Sequence, residues 1–195
     1  FPIIVAKVDG VIQELYHEVI DGTTVSFCTT KDSDGKRAYI RGMSMLLLKA
    51  IQEEKAFKEE DRITIDFCLD SSSFFTCYCF ISPCNFHGNS SLPLGKQKRM
   101  REDVKKDIRF EKVVMRTRDA RRMFEKKHMS DKSNLLKYRR NSRMTVYHLG
   151  DFTDYYYGAM PYSTGILTHF RLELFEDGFV FVVPKKEAPV TMPEF

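Results

Sequence analysis

The sequence lacks an apolar run long enough to cross a membrane. Its longest candidate, residues 43–51, is interrupted by Ser44 and Lys49, whereas a bilayer-spanning helix needs about 20 predominantly apolar residues. The opening stretch, FPIIVAKVDG, has no initiating methionine and lacks the basic-then-apolar order of a secretion signal. We therefore expect no membrane partner, and we expect the chain to be a fragment that begins inside a strand.

The signatures of several catalytic families are also missing. In GNSSLPLGKQ, six residues separate Gly88 from Gly95, and glutamine follows Lys96. A Walker phosphate loop has four residues between its glycines and a serine or threonine after its lysine. The sequence contains no His-Glu-x-x-His pattern and no Gly-x-Ser-x-Gly elbow. We expect no ATP site in this stretch, and we expect structural or solvent-facing roles for the scattered histidines: His17, His128, His148 and His169.

Cysteine is scarce, and its number, five, is odd. A chain of 195 residues needs no disulfides to fold, so this count favours reduced thiols and a cytoplasmic location. Cys77, Cys79 and Cys84 could bind zinc together with His87. Alternatively these thiols pack as small apolar side chains, which their aromatic neighbours favour. We predict no metal site, with the zinc alternative left open.

Positive charge is concentrated in one segment. Residues 96–143 contain 19 Lys and Arg against 7 Asp and Glu, a net charge of +12, and the remaining residues carry 12 against 20, a net charge of −8. Such asymmetry is typical of a surface that binds nucleic acid, and also of a solvated helical layer. If RNA binds, the candidate contacts are Lys98, Arg99, Arg121, Arg122, Arg139 and Arg140.

The spacing of apolar residues predicts a mixture of strands and helices. Asp9-Gly10 is a favoured tight-turn pair and predicts a hairpin of residues 3–8 and 11–15. KDSDGK, at 31–36, has the composition of a turn, and the apolar residues at 43–51 have helical spacing. Further strands are predicted at 23–28, 62–70, 73–81, 109–116, 144–150, 166–175 and 178–184, and further helices at 96–107, 116–129 and 130–138, the last with Ser130 as N-cap. Because regular βαβ alternation is missing, we predict an α+β fold with a largely antiparallel sheet.

One stretch, DFTDYYYGAMPYSTG at residues 151–165, raises the question of an active site. Asp151 and Asp154 flank a run of three tyrosines and could act as an acid and a base. Nothing nearby in the sequence supplies a metal or a nucleophile. We therefore expect Asp154 to hydrogen-bond backbone groups and fix the loop.

This stretch resembles the loop of the second additional, or editing, domain of threonyl-tRNA synthetases, when aligned on Phe152, Asp154, Gly158 and Thr164. A cysteine of the family then falls on Tyr156 and a histidine on Met160. RGMSMLLLKA, at residues 41–50, resembles the domain's helix, with its two histidines replaced by Arg41 and Met45. The resemblance implies that these four residues, with Asp154, line a degenerate pocket that cannot take up protons or bind a metal.

The chain also resembles, over about residues 1–184, bacterial nucleoside or uridine kinase-like proteins of the phosphoribulokinase/uridine kinase superfamily. The resemblance rests on PIIVAKVDG, YIRGMSMLLLKA, MSDKSNLLKY, LGDFTDYYYG and PYSTG. It implies the C-terminal part of a β-grasp TGS segment at 1–30, an editing-like module at 31–184 and a linker at 185–195. ATP and magnesium would belong to a kinase domain after the linker, so no cofactor is expected in this fragment.

Three functions follow from these observations. The leading hypothesis is a non-catalytic regulatory or recognition region of such a nucleoside kinase, with the attached kinase domain as partner and a small-molecule ligand possible. The second is a tRNA- or RNA-binding module, because the related synthetase domain handles a tRNA 3′ end. The third is a surviving aminoacyl-tRNA hydrolase in which Asp154, Tyr156 and His148 replace the lost groups.

Overall fold

The structure, a computed structural model, describes residues 1–53, 62–68, 76–82, 92–175 and 178–183. The predicted linker at 185–195, together with Cys84 and His87, lies outside the described residues. In chain order the described elements are β1 (Ile3–Val8), β2 (Val11–Gln13), β3 (Val25–Thr29), α1 (Ser33–Gln52), β4 (Arg62–Cys68), β5 (Thr76–Ser82), α2 (Leu92–Lys105), β6 (Phe110–Arg116), α3 (Thr117–Lys126), α4 (Ser130–Lys137), β7 (Arg143–Leu149), β8 (Phe152–Asp154), a 3₁₀ turn (Thr164–Ile166), β9 (Arg171–Phe175) and β10 (Gly178–Val182).

The described strands form three antiparallel sheets, with strand orders β2-β1-β3, β4-β5-β10-β9 and β6-β7-β8. Their combination with four described helices confirms the predicted α+β class with antiparallel pairing. Among the residues that the structure describes, no helix is both long enough and apolar enough to span a membrane.

The first sheet begins with the hairpin that Asp9-Gly10 predicts. Asp9 has φ 48° and Gly10 has φ 81°, the two positive values that a type I′ turn requires. The Asp9 carboxylate also accepts a hydrogen bond from the Thr24 backbone N–H at 2.9 Å, which ties the turn to the segment before β3.

Helix α1 begins at Ser33, ten residues before the predicted apolar face, so the turn predicted at 31–36 is confirmed only at residues 31 and 32 and is wrong for 33–36. The polar residues that favour turns also favour helix starts, and composition alone does not separate the two. Asp32 accepts a hydrogen bond from the Thr29 backbone N–H at 2.7 Å and shapes the entry to the helix. A Cβ at Gly35 would lie 2.0 Å from the Thr29 carbonyl oxygen, so only glycine lets the first helical turn approach β3 this closely.

The main hydrophobic core surrounds α1. Met43, Leu46, Leu47 and Ile51 have no exposed surface and pack in one cluster with side chains of β1, β6, β7 and the segment after β8. Burying a side chain of this size contributes about 1.5–3 kcal/mol. A second cluster joins α3, α4 and β7 through Ala120, Phe124, Leu136, Met144 and Val146.

The remaining predicted elements are confirmed with adjusted ends. Met129, rather than Ser130, is the N-cap of α4. Strand β9 starts at Arg171 instead of residue 166, because the 3₁₀ turn and an irregular segment come first. The 151–165 stretch contains a short strand, β8, that pairs with β7.

Candidate functional site

The stretch at residues 151–165, here called the tyrosine loop, lies against α1. Arg41 of α1 donates to the Ala159 carbonyl oxygen through Nε at 3.0 Å and Nη2 at 2.7 Å. Gly42, one residue further along α1, faces Pro161 so closely that a Cβ there would lie 2.7 Å from the proline Cγ. The helix and the loop are therefore in direct contact at the position where the resemblance predicts a pocket.

A second anchor holds the loop one residue earlier. Tyr147 of β7 donates its hydroxyl hydrogen towards Glu14 Oε1 at 2.6 Å and lies 3.0 Å from the Gly158 carbonyl oxygen. Lys112 of β6 donates to the other oxygen of Glu14 at 2.9 Å. Burial alone would raise the pKa of Glu14, but the hydrogen bonds from Tyr147 and Lys112 outweigh it and hold this pKa below its ordinary value. Burial and the Glu14 carboxylate together raise the pKa of Tyr147.

Gly158 is constrained by its backbone conformation and by Arg41. Its φ of 107° lies in the region that favours glycine. A Cβ at this position would lie 3.1 Å from the Arg41 guanidinium carbon. The backbone conformation and the arginine contact therefore both favour glycine here.

The structure brings together the four positions that match the family's polar groups. Met45 and Met160 are fully buried in the main core, Tyr156 packs against that core, and Arg41 holds the neighbouring loop carbonyl. Thioethers neither take up protons nor supply a thiolate. Burial lowers the pKa of Arg41 from its ordinary value, but a guanidinium is not a proton acceptor in proteins. The arrangement packs the loop onto the helix and provides no acid–base pair at these four positions.

Asp154 fixes the loop, as predicted. Its side chain is 6% exposed, accepts a hydrogen bond from the Tyr155 backbone N–H at 2.7 Å and forms an ion pair with Lys132 of α4. Asp154 therefore joins the loop backbone to α4.

The hydrolase hypothesis also needs His148 beside Asp154. His148 pairs with Thr153 across β7 and β8, whereas Asp154 pairs with Tyr147, and successive side chains of a strand point to opposite faces. His148 Nδ1 lies 2.7 Å from the Thr153 hydroxyl. Burial and the nearby Lys127 lower the pKa of His148. The two residues thus lie on different faces of the sheet.

The zinc alternative falls mostly outside the described residues. Cys77 and Cys79 lie in β5, and Cys84 and His87 are not described. Where the structure does describe side chains, no group of three or more His, Cys, Asp or Glu residues could hold a metal ion. Cys28 is a buried free thiol whose pKa is raised by burial.

The two residues of α2 that were predicted to contact RNA have different surroundings. Lys98 is exposed. Arg99 is bound by acids: its Nη2 lies 2.7 Å from Glu53 and 3.7 Å from the buried Asp103. It lines a hollow of about 500 Å³ that also contains Lys96, whose pKa is lowered to about 8 by burial. Folding thus places Arg99 against Glu53 and Asp103, so these acids partly balance its charge, and it stays a predicted RNA contact.

Another group of basic residues lines a groove of about 710 Å³ where β6, α3, α4 and β7 meet. We call it the arginine groove and define it by six arginines and Lys137; the arginines are Arg116, Arg118, Arg121, Arg139, Arg140 and Arg143. Neither Asp nor Glu is among its lining residues, all of which fall within the described range 92–175.

Three of the predicted RNA contacts, Arg121, Arg139 and Arg140, line the arginine groove, whereas Arg122 is exposed on α3 without lining it. Arg116, Arg118 and Arg143 are missing from the sequence-based set. For Arg116 and Arg143 the identifying signal is the strand register, which places the two residues directly opposite each other at the end of the β6–β7 pair.

No protein-family model matches the chain. Comparison with individual proteins does find relatives. The chain is 26% identical over 168 residues to a threonine–tRNA ligase of Acidithiobacillus ferrooxidans, covering 86% of this chain and 25% of the relative. It is 27% identical over 161 residues to the threonine–tRNA ligase of Clostridium kluyveri, covering 82% of this chain and 24% of that relative. The corresponding protein of Lactobacillus acidophilus is 28% identical over 167 residues, 86% of this chain and 24% of the relative.

The chain therefore spans about a quarter of the length of these curated relatives. Their similarity supports the predicted likeness to part of a threonyl-tRNA synthetase. It gives no support to the narrower prediction of a nucleoside or uridine kinase.

Proposed function

We propose that this chain is a non-catalytic RNA-recognition module, related to the editing domain of threonyl-tRNA synthetases, that binds tRNA without hydrolysing it. The similarity to threonine–tRNA ligases supports the choice of tRNA as ligand. A cytoplasmic location is part of the proposal and rests on the small, odd number of cysteines.

The observation that carries the proposal is that the side chains at the four family-matched positions are packed or hydrogen-bonded within the protein. Met45 and Met160 are in the core, and Arg41 is engaged with the Ala159 carbonyl. Hydrolysis of an aminoacyl ester needs a group that activates water, such as an imidazole, a carboxylate or a metal. The four positions supply none of these, while the basic surface of residues 96–143 remains suited to phosphates.

The proposal is tested by titrating the purified chain with tRNA at low and at high salt, and by incubating it with mischarged tRNA. We expect binding that weakens steeply as salt increases, because neutralising phosphates releases counterions. We expect deacylation to proceed at the rate measured without protein. Undetectable binding at low salt, or deacylation above that background, would overturn the proposal.

The narrower hypothesis of a region that regulates an attached nucleoside kinase rests on sequence resemblance alone, and the relatives reported above carry the ligase name. Its test is an assay of ATP-dependent nucleoside phosphorylation by residues 1–195 alone and by a protein in which they are joined to a nucleoside kinase domain. Phosphorylation there, and none by residues 1–195, is its expected result.

A further inference from the structure

We propose that the arginine groove binds the backbone of a single-stranded RNA end, with one unpaired base stacked on Tyr157. This inference rests on the proposed function, since it names the surface through which RNA would be held. The groove includes none of the four family-matched positions, which lie on α1 and in the tyrosine loop.

The charge of the arginine groove is not balanced by the protein itself. Arg116, Arg140 and Arg143 are exposed, and among the described residues no acid lies within ion-pair distance of them. Arg121 and Arg118 do have acidic neighbours, Glu125 at 3.0 Å and Asp119 at 3.6 Å. The end of the groove nearest the strands therefore carries the larger uncompensated charge.

The strand register adds to this excess. Arg116 and Arg143 are directly opposite each other in β6 and β7, and like charges at such positions destabilise a strand pair. An anion bound between them removes that repulsion. A phosphodiester backbone, with one charge per nucleotide, is the ligand chemistry that suits a row of guanidinium groups.

The walls of the arginine groove are fixed by the backbone. The Thr117 N–H donates to the Ser142 carbonyl at 2.9 Å, and the Thr117 hydroxyl donates to the Asn141 carbonyl. These bonds join the start of α3 to the connection before β7. The start of α3 also has no side-chain cap, and helix N-termini attract anions.

Tyr157 extends the groove with an aromatic surface. Arg139, which lines the groove, donates to the Tyr157 hydroxyl through Nη1 at 2.9 Å. Tyr157 is 69% exposed and makes an edge contact with Tyr155 at a centroid distance of 5.9 Å. A basic track beside an exposed aromatic ring is the arrangement by which proteins bind single strands, because any base can stack on the ring.

The test uses the whole chain and a fluorescently labelled single-stranded RNA of about ten nucleotides, followed by anisotropy at several salt concentrations. We expect the Arg143→Gln and Arg116→Gln variants each to weaken binding and to reduce the slope of log affinity against log salt by about 0.7. We expect Tyr157→Ala to weaken binding about 5- to 100-fold. Tyr157→Phe, which keeps the ring and loses the bond from Arg139, should bind within about threefold of the wild type.

Lys31→Gln is the matched control, because Lys31 is exposed and lies outside both the groove and the basic segment 96–143. We expect it to alter affinity by less than about twofold. Thermal unfolding of every variant confirms folding, since the substituted arginines are exposed.

The outcomes separate this inference from the proposed function. If wild-type protein binds tRNA with steep salt dependence but the groove variants bind RNA as well as Lys31→Gln does, the groove is not the site. This inference then fails while the proposed function stands. If Tyr157→Ala binds like wild type while the arginine variants weaken, the stacking part of the inference is overturned and the groove is a general polyanion site. If the wild type binds neither tRNA nor the short RNA, the proposed function fails as well.

Discussion

At the tyrosine loop, the buried or half-buried charged side chains form hydrogen bonds and ion pairs with other groups of the protein. Arg41 binds the Ala159 carbonyl, and Glu14 is bound by Lys112 and Tyr147. At the arginine groove, Arg116, Arg140 and Arg143 are exposed with no acidic partner among the described residues. The difference indicates two roles in one chain: charges at the loop stabilise the fold, and charges at the groove are available to a ligand.

The contrast between the packed tyrosine loop and the exposed arginine groove would be wrong if truncating a buried side chain of the loop cost no stability. We expect Met160→Ala to destabilise the protein by about 2–5 kcal/mol, because a fully buried side chain leaves a cavity when truncated. Met160→Leu keeps the volume and should cost less than about 1.5 kcal/mol. Urea denaturation measures both. An alanine variant as stable as the wild type would show that the loop is not packed as described.

The pH dependence of stability tests the same contrast, because the charge of Glu14 stabilises the fold through its hydrogen bonds from Tyr147 and Lys112. Its pKa lies below the ordinary value of 4.5 in the folded protein, so its stabilising effect is present above pH 4.5 and is lost as the pH falls through the lower folded value. Glu14→Gln should cost about 1–3 kcal/mol at pH 7. The difference between the two proteins should shrink on acidification.

The measurement is the free energy of unfolding of the wild type and Glu14→Gln between neutral pH and pH 3. Glu111→Gln, at an exposed glutamate of β6, is the control and should have an effect within about 0.5 kcal/mol. A constant difference between wild type and Glu14→Gln across this range would contradict the assigned hydrogen bonds.

The smallest expected effect concerns Gly158. Alanine at a positive φ costs about 1–2 kcal/mol, and at Gly158 the added methyl group also meets Arg41. Gly22→Ala is the matched control, because Gly22 has φ 87° and nothing within 4 Å of an added Cβ. The excess loss of stability at position 158, measured by thermal unfolding, reports the arginine contact alone. Equal losses at both positions would mean that Arg41 gives way freely.

Local sequence signals predicted much of the fold correctly. The Asp9-Gly10 pair identified the first hairpin because its two positive φ angles are rare for other residues. The spacing of Met43, Leu46, Leu47 and Ile51 identified the buried face of α1, since one face of a helix recurs every 3.6 residues. The start of α1 was missed because the entry to the helix depends on contacts with Thr29 of β3, which local composition does not show.

The candidate sites were predicted less well, because they depend on contacts between distant residues. The charged segment was visible in the sequence, but Arg99 was chosen although folding pairs it with Glu53, 46 positions away. Arg116 and Arg143 were missed because only the β6–β7 register places them opposite each other. A count of charge along the chain measures how much positive charge is present, and the fold decides which part of it remains accessible.

The contact between Gly42 and Pro161 limits which residues the helix can accept at this position. A Cβ at position 42 would lie 2.7 Å from the Pro161 Cγ, so even alanine would push the helix and the loop apart. The neighbouring residue, Arg41, holds the Ala159 carbonyl oxygen at 2.7 Å, and a shift of the loop would lengthen this hydrogen bond. The smallest residue of α1 thus sets the distance at which its longest contact with the loop can form.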